Sequence, residues 1–249
     1  MLHDKTMFQP EESSLEDFLT GQVVLIDKPL WWTSFDLVRK CRNIISHKLK
    51  VKKLKVGHAG TLDPLATGLM VICTGKATKR INEWMDADKE YVATIELGRT
   101  TPSFDLETET DVTFPTEHIT YESFEVSLLT FLGETQQKPP LFSAKNVNGK
   151  RAYTFARQGL NIELPAKQIV TSELEIVRFD LPVVELRIRC SKGAYVRSFA
   201  RDIGLANNSG ACLIGLRRTA IGDFRIEKAM TIELFEQILK TFKNETFTI

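Results

Sequence analysis

The sequence is poor in the residues that metal, nucleotide and disulfide chemistry require. Its four histidines, His3, His47, His58 and His118, are too scattered to suggest a ligand cluster. Its four cysteines, Cys41, Cys73, Cys190 and Cys212, include no CxxC pair, which excludes the usual zinc spacings and reads as reduced thiols. There is no GxxxxGK[ST] loop and no GxGxxG, so the common phosphate cradles are missing. HExxH and GxSxG are absent as well. The expectation is an enzyme or binding protein with no cofactor and no metal. Apolar runs such as LMVICT (69–74) are far shorter than the ~20 residues a membrane helix needs. The acidic N-terminus lacks the basic-then-apolar order of a signal peptide. A cytoplasmic protein with no membrane partner is expected.

What is present is an ordinary globular composition, 43% hydrophobic and 26% charged over 249 residues. No linker or repeat divides the chain. The reading is a mobile lead-in over 1–20 and one domain over 21–249. The net charge of +1 hides an asymmetry: 145–228 holds 15 basic and 8 acidic residues, and HKLKVKKLK (47–55) carries five lysines. DLETETD (105–111) is acidic. This pattern fits a basic face that can meet nucleic acid, or a solvated surface.

Strands are predicted at 21–29, 69–74, 89–98, 167–180, 183–191 and 211–224, from buried runs and period-two alternation. In 89–98, Tyr91, Ala93, Ile95 and Leu97 share one face. Helices are predicted at 33–46 (capped by Thr33 or Ser34), 121–133, 154–159, 195–208 and 231–242, with a short one at 76–85. The order lacks the regular β-α-β rhythm of a parallel sheet, so the fold class is α+β, a mixed and largely antiparallel sheet with flanking helices.

GHAGTLDPLATG (57–68) holds a single carboxylate, Asp63. An aspartate is ionised at neutral pH and needs no neighbouring base before it attacks an electrophile. Pro64 restricts Asp63 to extended backbone, and the flanking glycines allow tight turns or close approach to a ligand. A plain Asp-Pro turn fits the same residues.

KVGHAGTLDPLATGLMVICTGKATK (55–79) resembles the signature segment of the TruB family of tRNA pseudouridine synthases. LIDKP…TS (25–34), KEYVATIELGRTTPSFD (89–105), PPLFSAKNVNGKRAYTFARQG (139–159), RCSKGAYVRSFARDIG (189–204) and ACLIGLRRTAIGDF (211–224) resemble that family in its order. The resemblance implies a pseudouridine synthase-like fold and an isomerase that converts uridine 55 in the T-arm of tRNA to pseudouridine. It implies Asp63 as the catalytic residue and Tyr91, Arg197, His58, Lys28 and Leu216 as substrate-binding residues. Tyr91 packs on the base, Arg197 pairs with Asp63, and His58 occupies the space the base leaves. No cofactor and no guide RNA are implied, and the chain is expected to act as a monomer on tRNA. Such an enzyme flips the uridine out of its loop, at a few kcal/mol. Base–aromatic stacking returns ~1–3 kcal/mol. The lysines at 48–55 can steer T-arm phosphates.

Two departures stand out. Trp31 replaces the small residue, often glycine, that the family usually has there. A further C-terminal RNA-binding (PUA-like) domain, which many relatives carry, is expected to be absent or vestigial. The competing readings are a synthase for another RNA, a non-catalytic RNA-binding protein or tRNA chaperone, and a base-excising glycosidase. The last would need two carboxylates and a water.

Overall fold

A computed structural model describes residues 6–143, 146–147, 150–151, 154–155, 160 and 164–242. The main elements in chain order are β1 (Val23–Lys28), α1 (Ser34–Leu49), β2 (Val56–His58), β3 (Ala66–Thr74), β4 (Lys89–Leu97), α2 (Tyr121–Leu128), β5 (Gly133–Gln137), β6 (Lys167–Asp180), β7 (Val183–Cys190), α3 (Val196–Ala206), β8 (Ala211–Ile221) and α4 (Ile232–Thr241). They fall into two compact units, Met1–Ala87 with Arg217–Ile249, and Asp88–Leu216.

In the first unit β3 is flanked by β1 and β2, both antiparallel to it, with Lys28 opposite Gly68 and His58 opposite Ile72. The short strand Met230–Thr231 runs parallel to β1. β3 is mostly apolar, with Thr67 and Thr74 the exceptions, and almost wholly buried, as expected of a strand covered on both faces. Helix α1 begins with a capping box in which Thr33 accepts from the Asp36 amide and Asp36 accepts from that of Thr33. Its residues Leu37, Cys41, Ile45 and Leu49 recur every fourth position and are all buried. Phe8 is buried against Phe18 and Phe235, with ring centroids 5.2 and 5.7 Å away. Residues 6–20, read as a lead-in, thus contribute apolar contacts to this unit.

The second unit has an antiparallel sheet in the order β5-β6-β7-β4. The alternation read in 89–98 holds, since Ala93, Ile95 and Leu97 are buried in its core. That core also takes Phe124 and Leu128 from α2 and Phe199, Ala200 and Ile203 from α3. Burying each of its leucine, isoleucine and phenylalanine side chains contributes roughly 1.5–3 kcal/mol. Helix α2 is shorter than the predicted 121–133: it ends at Leu128 and tightens into a 3₁₀ turn over Leu129–Phe131. The helix predicted at 154–159 lies largely outside the described residues. All four cysteines are free and buried. Burial pushes the Cys41, Cys73 and Cys190 thiols up to about 12 and that of Cys212 up to about 11, so all are protonated at neutral pH. No helix among the described residues is long and apolar enough to cross a membrane.

Candidate active site

Asp63 lies half-buried in the loop between β2 and β3. Its carbonyl accepts from the Ala66 amide at 3.0 Å, which closes a turn onto the start of β3. Three staples, each from a different segment, fix this loop. The Trp31 amide donates to the Pro64 carbonyl at 2.8 Å. The buried Ser34 hydroxyl, on the first turn of α1, donates to the Leu62 carbonyl at 3.0 Å and accepts from the Leu62 amide at 2.8 Å. From β8, Arg218 donates to the carbonyls of Gly60 at 3.0 Å and Leu69 at 2.8 Å.

Arg218 is only 1% exposed. A buried guanidinium is tolerated where its fork finds several acceptors, and here backbone carbonyls supply them. Gly68 makes the approach possible: it has φ +107°, and a Cβ there would sit 2.3 Å from the Arg218 carbonyl oxygen. Gly60, with φ +89°, turns the chain where its carbonyl meets the guanidinium. Two of the glycines noted in the sequence therefore have conformational reasons to be glycine.

Lys28 is fully buried at the end of β1. Its ammonium donates to the carbonyls of Pro29 at 2.9 Å and Trp32 at 2.6 Å, closing the loop that leads into α1. Burial brings its pKa down to about 8, while the nearby Asp63 carboxylate pulls the other way. Lys28 is thus no surface partner of Asp27. That carboxylate is held by Arg217 at 2.6 and 3.1 Å. His58, on β2, has its pKa lowered by burial, with Arg218 adding to the effect and the Gly60 backbone opposing it. Its ring is therefore mostly neutral at pH 7. Its buried Nδ1 has no hydrogen-bond partner among the described residues.

Trp31 is 73% exposed and adopts φ +69°, a left-handed conformation that glycine takes without cost. The family's preference for a small residue at this position thus has a backbone cause.

The other expected residues belong to the second unit. Tyr91, on β4, pairs in register with Ile188 and packs against the core that Leu216 also touches. Arg197, on the first turn of α3, is 6% exposed, and its Nε lies 3.5 Å from the Asp105 carboxylate, which is 5% exposed. Its Nη1 donates to the Ser103 carbonyl at 3.4 Å. The Asp105 carboxylate also accepts from the Glu107 amide at 3.0 Å. Asp105 ends the segment 89–105 and opens the acidic stretch 105–111, and nothing in the sequence names it as the partner of Arg197. Its signal is the apolar and small residues before it, in TTPSFD, against the solvated glutamates after it.

Two solved structures have similar folds. With the crystal structure of a Cbf5–Nop10–Gar1 complex the TM-score is 0.69 at 28% identity, covering 92% of this chain and 58% of that chain. With an H/ACA RNP bound to a substrate RNA containing 2′-deoxyuridine it is 0.66 at 25% identity, covering 95% of this chain and 59% of that chain. Residues 46–196 match the N-terminal domain of the TruB family pseudouridylate synthases. The tRNA pseudouridine synthase B of Parabacteroides distasonis is 58% identical, over 90% of this chain and 95% of the relative. That of Flavobacterium johnsoniae is 52% identical, over 90% and 99%. The chain belongs to the TruB family of pseudouridylate synthases.

Proposed function

We propose that this chain is a tRNA pseudouridine synthase that converts uridine 55 of the T-arm to pseudouridine, without cofactor or guide RNA. One observation carries the reading: more than half of the residues are shared, over nine-tenths of the chain, with proteins named tRNA pseudouridine synthase B. In this reading Asp63 is the catalytic group and Tyr91 stacks on the extruded base. Arg197 is the arginine that the resemblance pairs with Asp63, and within its own unit Asp105 holds its guanidinium. His58, Lys28 and Leu216 line the space the uracil occupies. The N1–C1′ bond breaks, the uracil turns, C5 bonds to C1′, and the C5 proton leaves to solvent while N1 gains one. One carboxylate suffices because the base re-adds and no water enters the product.

The physical support lies in the rigidity of the Asp63 loop. A nucleophile or base held within a fraction of an ångström gains more than one that must be ordered at each turnover. The three staples anchor the backbone on both sides of Asp63, and the Lys28 ammonium sets a positive charge near the carboxylate. The test is to incubate the purified protein with an unmodified tRNA transcript and map pseudouridine by chemical derivatisation and primer extension. A single stop at position 55, without added RNA, is the expected result. A stop elsewhere, or none, overturns the reading.

A further inference from the structure

The lysine run at 47–55 abuts the Asp63 segment in sequence, yet the β2–β3 hairpin separates them in space. Lys55 immediately precedes β2, whose first residue, Val56, pairs with Thr74 at the far end of β3. Asp63 turns into the near end, at Ala66. A nine-residue strand rising 3.2–3.4 Å per residue sets these ends about 25–30 Å apart.

At the far end lies a hollow of about 370 Å³ lined by Lys53, Lys55, Lys76 and Lys79, with no carboxylate in its wall. All four lysines are exposed, and none forms an ion pair among the described residues. Two acidic side chains on flanking elements are engaged elsewhere, Asp17 with Ser14 and Glu83 with Arg80. The frame is fixed: the Gly75 amide donates to the Lys55 carbonyl at 3.0 Å, and Leu54 and Ala77 are buried between the lysines. Gly75, at φ +49°, comes so close to the Leu19 carbonyl that a Cβ there would lie 2.3 Å from it. Four ammonium groups gathered without counter-charge repel one another and create a local positive potential suited to a polyanion.

We propose that this hollow is a second RNA-backbone site, holding phosphates of the substrate tRNA about 25–30 Å from the uridine at Asp63. It rests on the tRNA reading above. An A-form RNA duplex rises less per base pair than the ~3.4 Å of B-DNA, so it needs more than about eight pairs to cover that distance. A hairpin of only the T-loop and its short stem therefore cannot fill both sites, whereas a whole tRNA can.

The test uses the full chain with Lys53, Lys55, Lys76 and Lys79 all changed to Gln, with circular dichroism and thermal melting to verify folding. Binding of a whole tRNA transcript and of a T-arm hairpin is measured across a KCl series, with turnover on each. For tRNA, affinity should fall at least ~10-fold at moderate salt, and the slope of log K against log[salt] should flatten by ~2–4. The loss should appear in KM and not in kcat, and hairpin affinity should be nearly unchanged. An equal loss on the hairpin would mean that the lysines touch the T-arm itself. Unchanged tRNA affinity would mean that the hollow holds no RNA. Either result overturns the proposal. Wild-type turnover on the hairpin tests the enzymatic reading separately, because it does not depend on the hollow.

Discussion

Replacing Arg218 by methionine keeps the length and apolar stem of the side chain and removes its guanidinium. The carbonyls of Leu69, which is buried, and of Gly60, which is partly buried, bonded at 2.8 and 3.0 Å, then lose this donor. Each orphaned buried acceptor costs about 1–3 kcal/mol. Methionine returns part of this, since the guanidinium no longer has to be desolvated. The net loss should be about 2–4 kcal/mol, a large share of a total stability near 5–15 kcal/mol. In a chain of this size each kcal/mol lowers Tm by roughly 2–4 °C, so a drop of about 5–15 °C is expected. Arg218→Lys should recover only part of it, because an ammonium cannot reproduce the two-pronged donation. Arg218 also fixes the Asp63 loop, so kcat should fall in both variants by more than tRNA affinity does. Urea unfolding, thermal melting and single-turnover pseudouridine formation measure these effects. A cost below ~1 kcal/mol with unchanged turnover would refute the idea that this guanidinium organises the loop.

Three further outcomes follow from the same geometry. Lys28 has a folded pKa of about 8 against 10.5 for the free side chain, so between these values the unfolded chain binds more protons and stability rises with pH. The burial cost of the ammonium is fully present below pH 8 and fades toward 10.5. Chemical denaturation of Lys28→Met should lack that rise, and parallel curves for the two proteins would contradict this. The His58 pKa is held below 6.5 mainly by burial, so as pH falls through 6.5 the unfolded chain takes the proton first and stability declines. His58→Asn should be flatter between pH 6.5 and 5, and an unchanged slope would place the acid sensitivity elsewhere. Trp31→Gly removes a left-handed tryptophan that buries little and keeps the backbone bond to Pro64. The strain relieved, ~1–2 kcal/mol, outweighs the added freedom of glycine in the unfolded chain. A gain of roughly 0.5–1 kcal/mol in melting experiments is expected, and a loss would show that Trp31 is not strained.

Much of the fold was legible because burial leaves a periodic trace. The alternation of Lys89–Leu97 and a helix cap at Thr33 or Ser34 both appear in the sequence, and the structure assigns the cap to Thr33 with Asp36 as its reciprocal partner. The end of α2 at Leu128 was not legible, since no glycine or proline marks it and apolar residues continue to Leu132. Nor was the division into two units, one of whose two boundaries falls inside the unbroken strand β8. Asp63 stands out as a candidate through the family resemblance, since the residues around it alone fit a plain Asp-Pro turn as well, and its supports were not legible. Arg217 and Arg218 are chemically identical neighbours on a strand, so their side chains point to opposite faces. One is a partly exposed partner of Asp27, and the other is the buried clamp on Gly60 and Leu69. Composition cannot tell which is which, because the answer depends on which face of β8 is covered. Asp105 posed the same difficulty, as one carboxylate among several until the burial of Arg197 singles it out.

The central claim is that Asp63 carries the chemistry, and Asp63→Asn tests it with almost no change in shape. The measurement is single-turnover release of tritium from tRNA labelled at uracil C5, at enzyme concentrations that saturate binding. The variant should bind tRNA about as well as the wild type and release no tritium above background. Release within tenfold of the wild-type rate would contradict the claim.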